Sequence, residues 1–184
     1  MVSKMKTICV FCGSAPGNSP TYLEAARDAG KVLAEANFQI VYGGAKSGLM
    51  GALATSALEN NGRVIGILPS FLRDREVAHP NLTDLEIVPT MHKRKERMNE
   101  LSDGFLVLPG GIGTLDELFE IFTWQNLGIH QKPIGILNID NYYNSLLEFL
   151  QNTVDRGFFS KVKFDRLLIH NNLKTLLGSM KKIE

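Results

Sequence analysis

The sequence carries almost no net charge and has no long hydrophobic run. Its 20 Lys and Arg residues against 19 Asp and Glu residues leave a formal charge of +1, so no global field would attract nucleic acid or an anionic membrane. No apolar run approaches the roughly 20 residues that span a bilayer. The N-terminal segment MVSKMKTICVFCG passes from a short apolar run to a glycine turn rather than to a cleavage region, and it indicates the first strand of a cytoplasmic protein. We therefore expect neither a nucleic-acid nor a membrane partner.

Cysteine is scarce, and its two occurrences, Cys9 and Cys12, form a C-x-x-C pair. In a strand, residues three apart point to opposite faces, so the two sulfurs diverge. The second pair of ligands that a structural zinc needs is absent from the sequence, and the four histidines are scattered without ligand spacing. We interpret both cysteines as small buried apolar residues and expect no metal site and no cofactor.

Strand-like and helix-like segments alternate along the chain, which at 184 residues and 44% hydrophobic content can bury a core. Most of the Val-, Ile- and Leu-rich runs lack strict alternation, as is typical of strands covered on both faces. The predicted strands are Thr7–Cys12, Phe38–Tyr42, Val64–Leu68, Leu85–Val88, Phe105–Leu108, Ile134–Leu137 and Leu167–His170. The pattern predicts an α/β fold, a doubly wound parallel sheet with helices on both faces, over residues 1–184 as one domain.

The predicted helices place the candidate sites. Ser19 and Pro20 are a typical N-cap and first residue for a helix that continues through YLEAARDAGKVLAEA. The other predicted helices are Gly48–Glu59, Met91–Leu101, Leu115–Leu127, Tyr142–Val154 and Leu173–Met180. Ligands of doubly wound folds bind at the carboxyl ends of the strands, so the turns from strand to helix are the segments to inspect.

Three of those turns are rich in glycine: CGSAPGNSP, YGGAKSGLMG and LPGGIGT. None contains the Walker pattern G-x-x-x-x-G-K-[ST], and the first does not fit the dinucleotide pattern G-x-G-x-x-G. Each nevertheless brings glycines or small hydroxyl residues to the start of a helix, where free amides and the helix dipole suit a phosphate. One such turn would indicate only a tight turn. Three in one parallel sheet predict a site for a phosphorylated small molecule.

Thr114 and Glu117 are open to two interpretations. Their spacing is that of a capping box, in which the threonine hydroxyl and the glutamate side chain satisfy each other's amides at a helix start. The same glutamate could instead be a catalytic carboxylate beside the phosphate turn. The two roles do not exclude each other, because a capping side chain can be recruited once substrate arrives.

The segment MHKRKERMNEL, residues 91–101, carries cations on its apolar side. Met91, Met98 and Leu101 recur at helical spacing, and Arg94 and Lys95 fall on the same stripe. An inward-facing cation must be paired or must meet a ligand. A structural salt bridge or a snorkelling stem is the alternative to a ligand contact.

Two motifs give the chain a family resemblance. PGGIGTLDE, residues 109–117, matches P-G-G-x-G-T-x-x-E, and MHKRKERM, residues 91–98, matches M-x-x-R-K-x-x-M. In this order and separation they resemble the signatures of the LOG ("Lonely guy") family, cytokinin riboside 5′-monophosphate phosphoribohydrolases long labelled lysine decarboxylases. The resemblance extends over nearly the whole chain, including the CGS and YGG turns, the E-x-x-H of residues 76–79 and the W-x-x-L-G-I-H-x-K-P of residues 124–133.

The resemblance implies a Rossmann-like, nucleotide-binding hydrolase domain that is usually a homodimer. Its reaction would cleave the N-glycosidic bond of a nucleoside 5′-monophosphate, yielding free base and ribose 5-phosphate. By motif position, Arg94 and Glu117 would be catalytic. The residues that would bind the nucleotide substrate are Gly111, Ile112, Gly113 and Thr114 at the phosphate, with Glu76, Lys95, Thr123, Gly13, Ser14 and Gly44 completing the site.

Other functions remain open at the level of the sequence. A non-catalytic nucleotide or cofactor carrier could use the same fold, since fold alone does not fix function. A pyridoxal-phosphate lysine decarboxylase would need a Schiff-base lysine, for which Lys95 is the candidate. Among nucleotides, the sequence does not separate AMP from a cytokinin precursor. The helix around Phe119, Phe122 and Trp124 could form a dimer interface or belong to the core.

Overall fold

A computed structural model describes residues 6–72 and 78–183 of the chain. Seven strands lie in one sheet, and every pairing between them is parallel. Their bounds are β1 Thr7–Phe11, β2 Gln39–Tyr42, β3 Arg63–Pro69, β4 Asp84–Val88, β5 Gly104–Val107, β6 Ile134–Leu137 and β7 Leu167–His170. The seven predicted strands and the predicted parallel sheet are confirmed.

The strand order β4-β3-β2-β1-β5-β6-β7 reverses direction between β1 and β5. Chain connections run outward on either side of this pair, so the turns that follow β1 and β5 part from each other and leave a crevice at the carboxyl edge of the sheet. Doubly wound sheets bind ligands at such a switch point. The first and third glycine-rich turns are the two that follow these strands.

All six predicted helices are present, two of them with different starts, and one short helix, Lys161–Phe164, was not predicted. Their bounds are α1 Pro20–Glu35, α2 Gly48–Glu59, α3 Met91–Leu101, α4 Ile112–Asn126, α5 Asn144–Asp155, α6 Lys161–Phe164 and α7 Leu173–Met180. The helix predicted from Leu115 begins three residues earlier, at Ile112. The helix predicted from Tyr142 begins at Asn144, because residues 139–141 form a separate tight turn in which Asp140 has a positive φ.

Helices cover the sheet on both faces, as predicted. One apolar layer joins the strands to α1, α2 and α7, and the other joins them to α3, α4 and α5. Cys12 belongs to the first layer and Cys9 to the second, so the two sulfurs do lie on opposite sides of the sheet. Both thiols are free and buried, and burial raises the pKa of each well above its ordinary value.

Two further expectations concern the aromatic residues of α4 and the possibility of a membrane-spanning helix. Phe122 is buried in the second layer and Phe119 packs against it, so these two aromatic residues of α4 belong to the core. Across residues 6–72 and 78–183, the longest apolar helical segment falls short of what a membrane crossing requires.

Candidate active site

A cavity of about 600 Å³ opens at the switch point between β1 and β5. Small-molecule sites commonly fall in the range of about 300–1,000 Å³. The lining comes from the first glycine-rich turn, the start of α2, the start of α3, the PGGIGT turn and α4. The turns that the sequence singled out therefore converge on one open cavity.

Backbone hydrogen bonds hold these turns together. The amide of Gly13 donates to the carbonyl of Pro109 at 3.0 Å, and the carbonyl of Gly13 accepts from the amide of Leu49 at 3.0 Å. A side chain at Gly110 would have its Cβ 2.1 Å from the Thr114 hydroxyl oxygen and 2.9 Å from the Gly13 amide nitrogen. Gly110 is thus required for close packing of the first turn on the third, and that packing shapes the cavity floor.

The N-terminus of α4 forms one wall, and its geometry corrects the capping-box prediction. The N-cap is Gly111 rather than Thr114, so Thr114 is the third helical residue and its hydroxyl packs beneath Gly110. Glu117 lies in the second turn, too far along to reach an N-cap amide. No side chain of the described residues caps this helix, so the first amides of α4 are available to an anion at the positive end of the helix dipole.

Glu117 and Arg94 lie next to each other in the lining of the cavity. The Glu117 Oε1 to Arg94 Nη2 distance is 3.7 Å, and both side chains are at least nine-tenths buried. That separation is an ion pair without a direct hydrogen bond. Within the described residues, no acceptor lies within hydrogen-bonding distance of Arg94 Nε, which is itself buried. A buried guanidinium with an unused donor is typical of a group that meets a ligand.

Two neighbours fix the position of Arg94. A Cβ placed on Gly43 would lie 1.9 Å from Arg94 Nη2, so the guanidinium rests directly on the backbone of the YGG turn. On its own helix, Arg94 Nη1 lies 3.9 Å from the sulfur of Met91. Thr90 caps α3 by accepting from the Lys93 amide, which fixes the helix start from which Arg94 projects.

Lys95 is buried, as the sequence predicted, but it turns away from the cavity. Its ammonium lies 3.0 Å from both Asp116 Oδ2 and Glu120 Oε2 on α4. Burial lowers the pKa of Lys95, and the hydrogen bonds and charges of the two carboxylates outweigh that effect, so its pKa is raised. Of the two interpretations that the sequence left open for this cation, the salt bridge is the one realised in the single chain.

The other predicted site residues divide into two groups. Those that line the cavity are Gly13, Ser14, Gly111, Ile112, Gly113 and Thr114, together with Arg94 and Glu117. Thr123 is exposed on α4, and Gly44, at φ +84, packs near Gly66 and Leu85; neither lines the cavity. Glu76 lies outside the described residues.

Sequence reasoning missed several residues of the cavity wall. Met50, Met91 and Leu72 supply apolar surface, and Tyr22 and Tyr142 supply aromatic surface. Gly43 is not a lining residue but supports Arg94, and it could have been found because it adjoins Gly44 in a turn already singled out. Tyr142 gave no signal, because an aromatic residue at a helix start is more often part of the core.

Comparison with known proteins places this site in a family. The family model described as "Possible lysine decarboxylase" matches residues 50–180. The chain is 45% identical over 183 residues to cytokinin riboside 5′-monophosphate phosphoribohydrolase LOG7 of Arabidopsis thaliana, covering 99% of this chain and 84% of that protein. It is 40% identical over 177 residues to the enzyme of the same name from Rhodococcoides fascians, covering 96% and 89%. The chain belongs to the LOG family.

Solved structures support the fold of this LOG protein. A molybdenum cofactor binding protein from Rippkaea orientalis superposes with a TM-score of 0.74 at 23% identity, over 98% of both chains. The molybdenum cofactor carrier protein of Chlamydomonas reinhardtii gives a TM-score of 0.74 at 17% identity, again over 98% of both. At these identities the likeness establishes a shared architecture, while the LOG relatives carry the closer relationship.

Proposed function

We propose that this protein hydrolyses the N-glycosidic bond of a nucleoside 5′-monophosphate, releasing the free base and ribose 5-phosphate. The observation that carries the proposal is the buried pair of Arg94 and Glu117 in a cavity whose adjoining wall is a helix N-terminus that no described side chain caps. An anion site and a carboxylate side by side match a substrate with a phosphate at one end and a scissile sugar bond at the other. LOG relatives at 40–45% identity are named for this reaction on cytokinin riboside 5′-monophosphates.

The phosphate would lie at the start of α4. The amides of Gly111, Ile112, Gly113 and Thr114 open this helix, and Gly13 and Ser14 border the same part of the cavity. Placing a dianion there is favourable because several N–H donors and the helix dipole act on it together. Glu117 lies one turn along the helix, where a carboxylate would meet the ribose rather than the phosphate.

Cleavage builds positive charge on the sugar and negative charge on the departing base. The carboxylate of Glu117 stabilises the oxocarbenium-like sugar, and water supplies the hydroxyl at C1′ while the base leaves with a proton. Glu117 acts either as the nucleophile that first bonds to C1′ or as the base that activates the water. The stereochemistry of the ribose 5-phosphate formed would distinguish these routes, because only the first retains configuration at C1′.

Arg94 would supply the matching positive charge. Its Nε has no acceptor among the described residues, and its Nη2 is within 3.7 Å of Glu117. A guanidinium held rigidly against Gly43 can orient the substrate and balance charge on the departing base without reorganising during the reaction. Removing one preorganised donor of this kind costs about 10²–10³ in rate.

Two alternatives fit the site less well. A passive carrier of an anionic cofactor gains nothing from a buried carboxylate beside its anion site. A lysine decarboxylase using pyridoxal phosphate would need an amine free to form a Schiff base. Lys95 is instead held between Asp116 and Glu120 with a raised pKa, which favours the charged and unreactive form.

The remaining family expectations are part of the proposal. Glu76, Lys95, Thr123 and Gly44 stay predicted substrate contacts, and residues 1–184 would act as one nucleotide-binding hydrolase domain. We also propose a cytoplasmic homodimer. Free buried cysteines suit a reducing compartment, and the edge strand β4 exposes Leu85 and Ile87 on one face, where a second copy could pack. Sedimentation analysis would test the dimer.

The test of the reaction is direct. Purified protein is incubated separately with AMP, isopentenyl-AMP and adenosine, and free base and ribose 5-phosphate are separated by chromatography. We expect base release from a monophosphate and far less from adenosine, which lacks the phosphate. Release from neither monophosphate, with binding retained, would favour the carrier.

Arg94→Lys tests the guanidinium in the same assay. It keeps the charge and loses the planar set of donors, so we expect a loss of about 10²-fold or more. Arg97→Lys is the matched control, because Arg97 lies on the same helix and pairs outside the cavity with Glu86 and Glu100. Equal losses in both variants would contradict the role of Arg94.

A further inference from the structure

Two consecutive tyrosines donate hydrogen bonds into the turn that follows β5. The hydroxyl of Tyr142 donates to the carbonyl of Gly110 at 2.6 Å, and that of Tyr143 donates to the carbonyl of Leu108 at 2.7 Å. The carbonyl between them, that of Pro109, accepts from the Gly13 amide at 3.0 Å. Each of three successive carbonyls therefore has its own donor, and the orientations of the corresponding peptide units are set from outside the turn.

The peptide unit oriented by Tyr142 carries the first amide of the phosphate-binding turn. A trans peptide is planar, so the carbonyl of Gly110 and the N–H of Gly111 belong to one rigid unit and point in opposite directions. Holding the carbonyl on the tyrosine hydroxyl therefore fixes the direction of the Gly111 amide. Gly111 is the N-cap of α4 and lines the cavity.

Tyr143 acts on a different kind of peptide unit. The carbonyl of Leu108 shares its peptide unit with the nitrogen of Pro109, which carries no hydrogen. The Tyr143 hydrogen bond can stabilise the fold, but it cannot orient an N–H donor, because the Leu108–Pro109 peptide unit has none. The two neighbouring tyrosines thus make the same contact with different consequences for anion binding.

The turn that presents Tyr142 has two consecutive residues with positive φ. Asp140 and Asn141 have φ of 50° and 58°, in the left-handed region that aspartate and asparagine adopt more readily than other residues with a side chain. The side chain of Asn138 holds this turn, since its Oδ1 accepts from the Tyr143 amide and its Nδ2 donates to Asn144, both at 2.8 Å.

Tyr142 also contacts the first glycine-rich turn through Tyr22. The two rings meet edge to face with centroids 5.7 Å apart, and Tyr22 packs over Gly17, where a Cβ would come within 2.7 Å of its ring. Tyr142 therefore lies between two of the turns that form the cavity and is connected to both.

We propose that Tyr142 is a positioning residue for phosphate recognition, acting through the carbonyl of Gly110 to direct the Gly111 amide into the cavity. The inference rests on the proposed function only in requiring a phosphate-bearing ligand at this turn. Tyr142 contributes to phosphate binding and not to the bond-cleaving step, because it orients the turn and does not orient Arg94 or Glu117.

Tyr142→Phe and Tyr143→Phe provide a matched comparison. Ribose 5-phosphate affinity is measured by titration calorimetry, KM and kcat are measured with AMP, and thermal melting monitors the fold. For Tyr142→Phe we expect a dissociation constant about 3- to 10-fold higher, a parallel rise in KM, a kcat within about twofold and little change in melting temperature. For Tyr143→Phe, which leaves a buried carbonyl unpaired, we expect a lower melting temperature and unchanged ribose 5-phosphate affinity.

Unchanged affinity in Tyr142→Phe, or equal weakening in both variants, would overturn the inference. Wild-type protein that binds neither ribose 5-phosphate nor AMP would overturn it too. Wild-type protein that binds ribose 5-phosphate but releases base from no nucleotide would overturn the proposed reaction alone, and the comparison of the two tyrosines would still decide the role of Tyr142.

Discussion

Arg94 and Glu117 belong to different helices, α3 and α4, yet their charged groups approach to 3.7 Å inside one cavity. The sheet brings them together, because α3 leads into β5 and α4 follows it. The pair is buried, and Arg94 keeps one donor without an acceptor in the described part of the chain. This relationship, more than the glycine turns alone, separates a catalytic site from a simple anion site.

Gly43→Ala should displace Arg94 without touching any charged residue. The new Cβ would lie 1.9 Å from Arg94 Nη2 and 2.9 Å from the sulfur of Met50, so the guanidinium must move. We expect kcat/KM for AMP to fall by about 10²-fold, as for loss of a preorganised donor. Gly178→Ala is the control, since no atom within residues 6–72 and 78–183 lies within 4 Å of the added methyl. Full activity in Gly43→Ala would show that the position of Arg94 is not critical.

Gly113→Ala and Gly110→Ala should affect the protein in opposite ways. At Gly113 an added Cβ meets no atom of the described residues within 4 Å, and alanine is the better helix former, so we expect an unchanged or slightly higher melting temperature. A phosphate approaching that backbone would meet the methyl, and we expect KM for AMP to rise about tenfold. At Gly110 the Cβ would clash with Thr114 and Gly13, at a cost of about 1–3 kcal/mol in stability. Wild-type KM in Gly113→Ala would argue against a phosphate at this turn.

Lys95→Met tests whether this cation joins two helices or touches substrate. Without it, Asp116 and Glu120 face each other one turn apart on α4, and we expect a loss of about 1–3 kcal/mol in the free energy of unfolding. The loss is limited because Asp116 is about half exposed. Lys93→Met is the control, since Lys93 pairs with Glu96 at the surface. Wild-type stability combined with a raised KM would instead support the substrate contact that the family resemblance implies.

His130 should make stability depend on pH. Burial lowers its pKa and the charge of Lys132 lowers it further, against the opposing effect of the hydrogen bond that the ring donates to the Ile121 carbonyl. A His pKa lowered in the folded state gives stability that is present above the unfolded value of about 6.5 and is lost as pH falls. Its neutral ring bonds on both sides, with Nε2 2.9 Å from the Ile121 carbonyl and Nδ1 accepting from the Lys132 amide.

Denaturant unfolding at about pH 7.5 and pH 5.5 would measure this effect. We expect the wild-type free energy of unfolding to fall between the two values and His130→Gln to show a smaller fall. His79, whose pKa burial also lowers, remains in both proteins and accounts for part of the residual dependence. An identical pH dependence in the two proteins would assign the effect to other groups.

Much of the fold followed from local signals. Runs such as Phe105–Leu108 are apolar without alternation, which is typical of strands buried on both faces, and the structure has a strand there at Gly104–Val107. Helix starts were less certain. α4 begins at Ile112 because a glycine serves as its N-cap, and the Thr114 and Glu117 spacing that imitates a capping box arises from a buried hydroxyl and a buried acid.

Site residues could be predicted from the sequence only where a charged side chain stands in an unusual sequence context. Arg94 stood out because a cation on an apolar stripe demands a partner, and Glu117 because it follows a glycine turn. Lys95 stood out for the same reason as Arg94, yet it pairs with Asp116 and Glu120. These acids lie on α4, and the helical spacing within α3 gives no information about which residues of α4 face Lys95. Tyr142 carries no such mark, since its importance depends on a carbonyl 32 residues away in the chain.

The most direct test of the account is base release by Glu117→Gln. Purified wild type, Glu117→Gln and Glu120→Gln are incubated with AMP and with isopentenyl-AMP, and free base is quantified against time. Glu120→Gln makes the same change one turn along α4, at a residue that pairs with Lys95 outside the cavity. We predict base release by wild type and Glu120→Gln, and a loss of at least about 10²–10³-fold in Glu117→Gln with its fold retained. Substantial turnover by a folded Glu117→Gln would contradict the account.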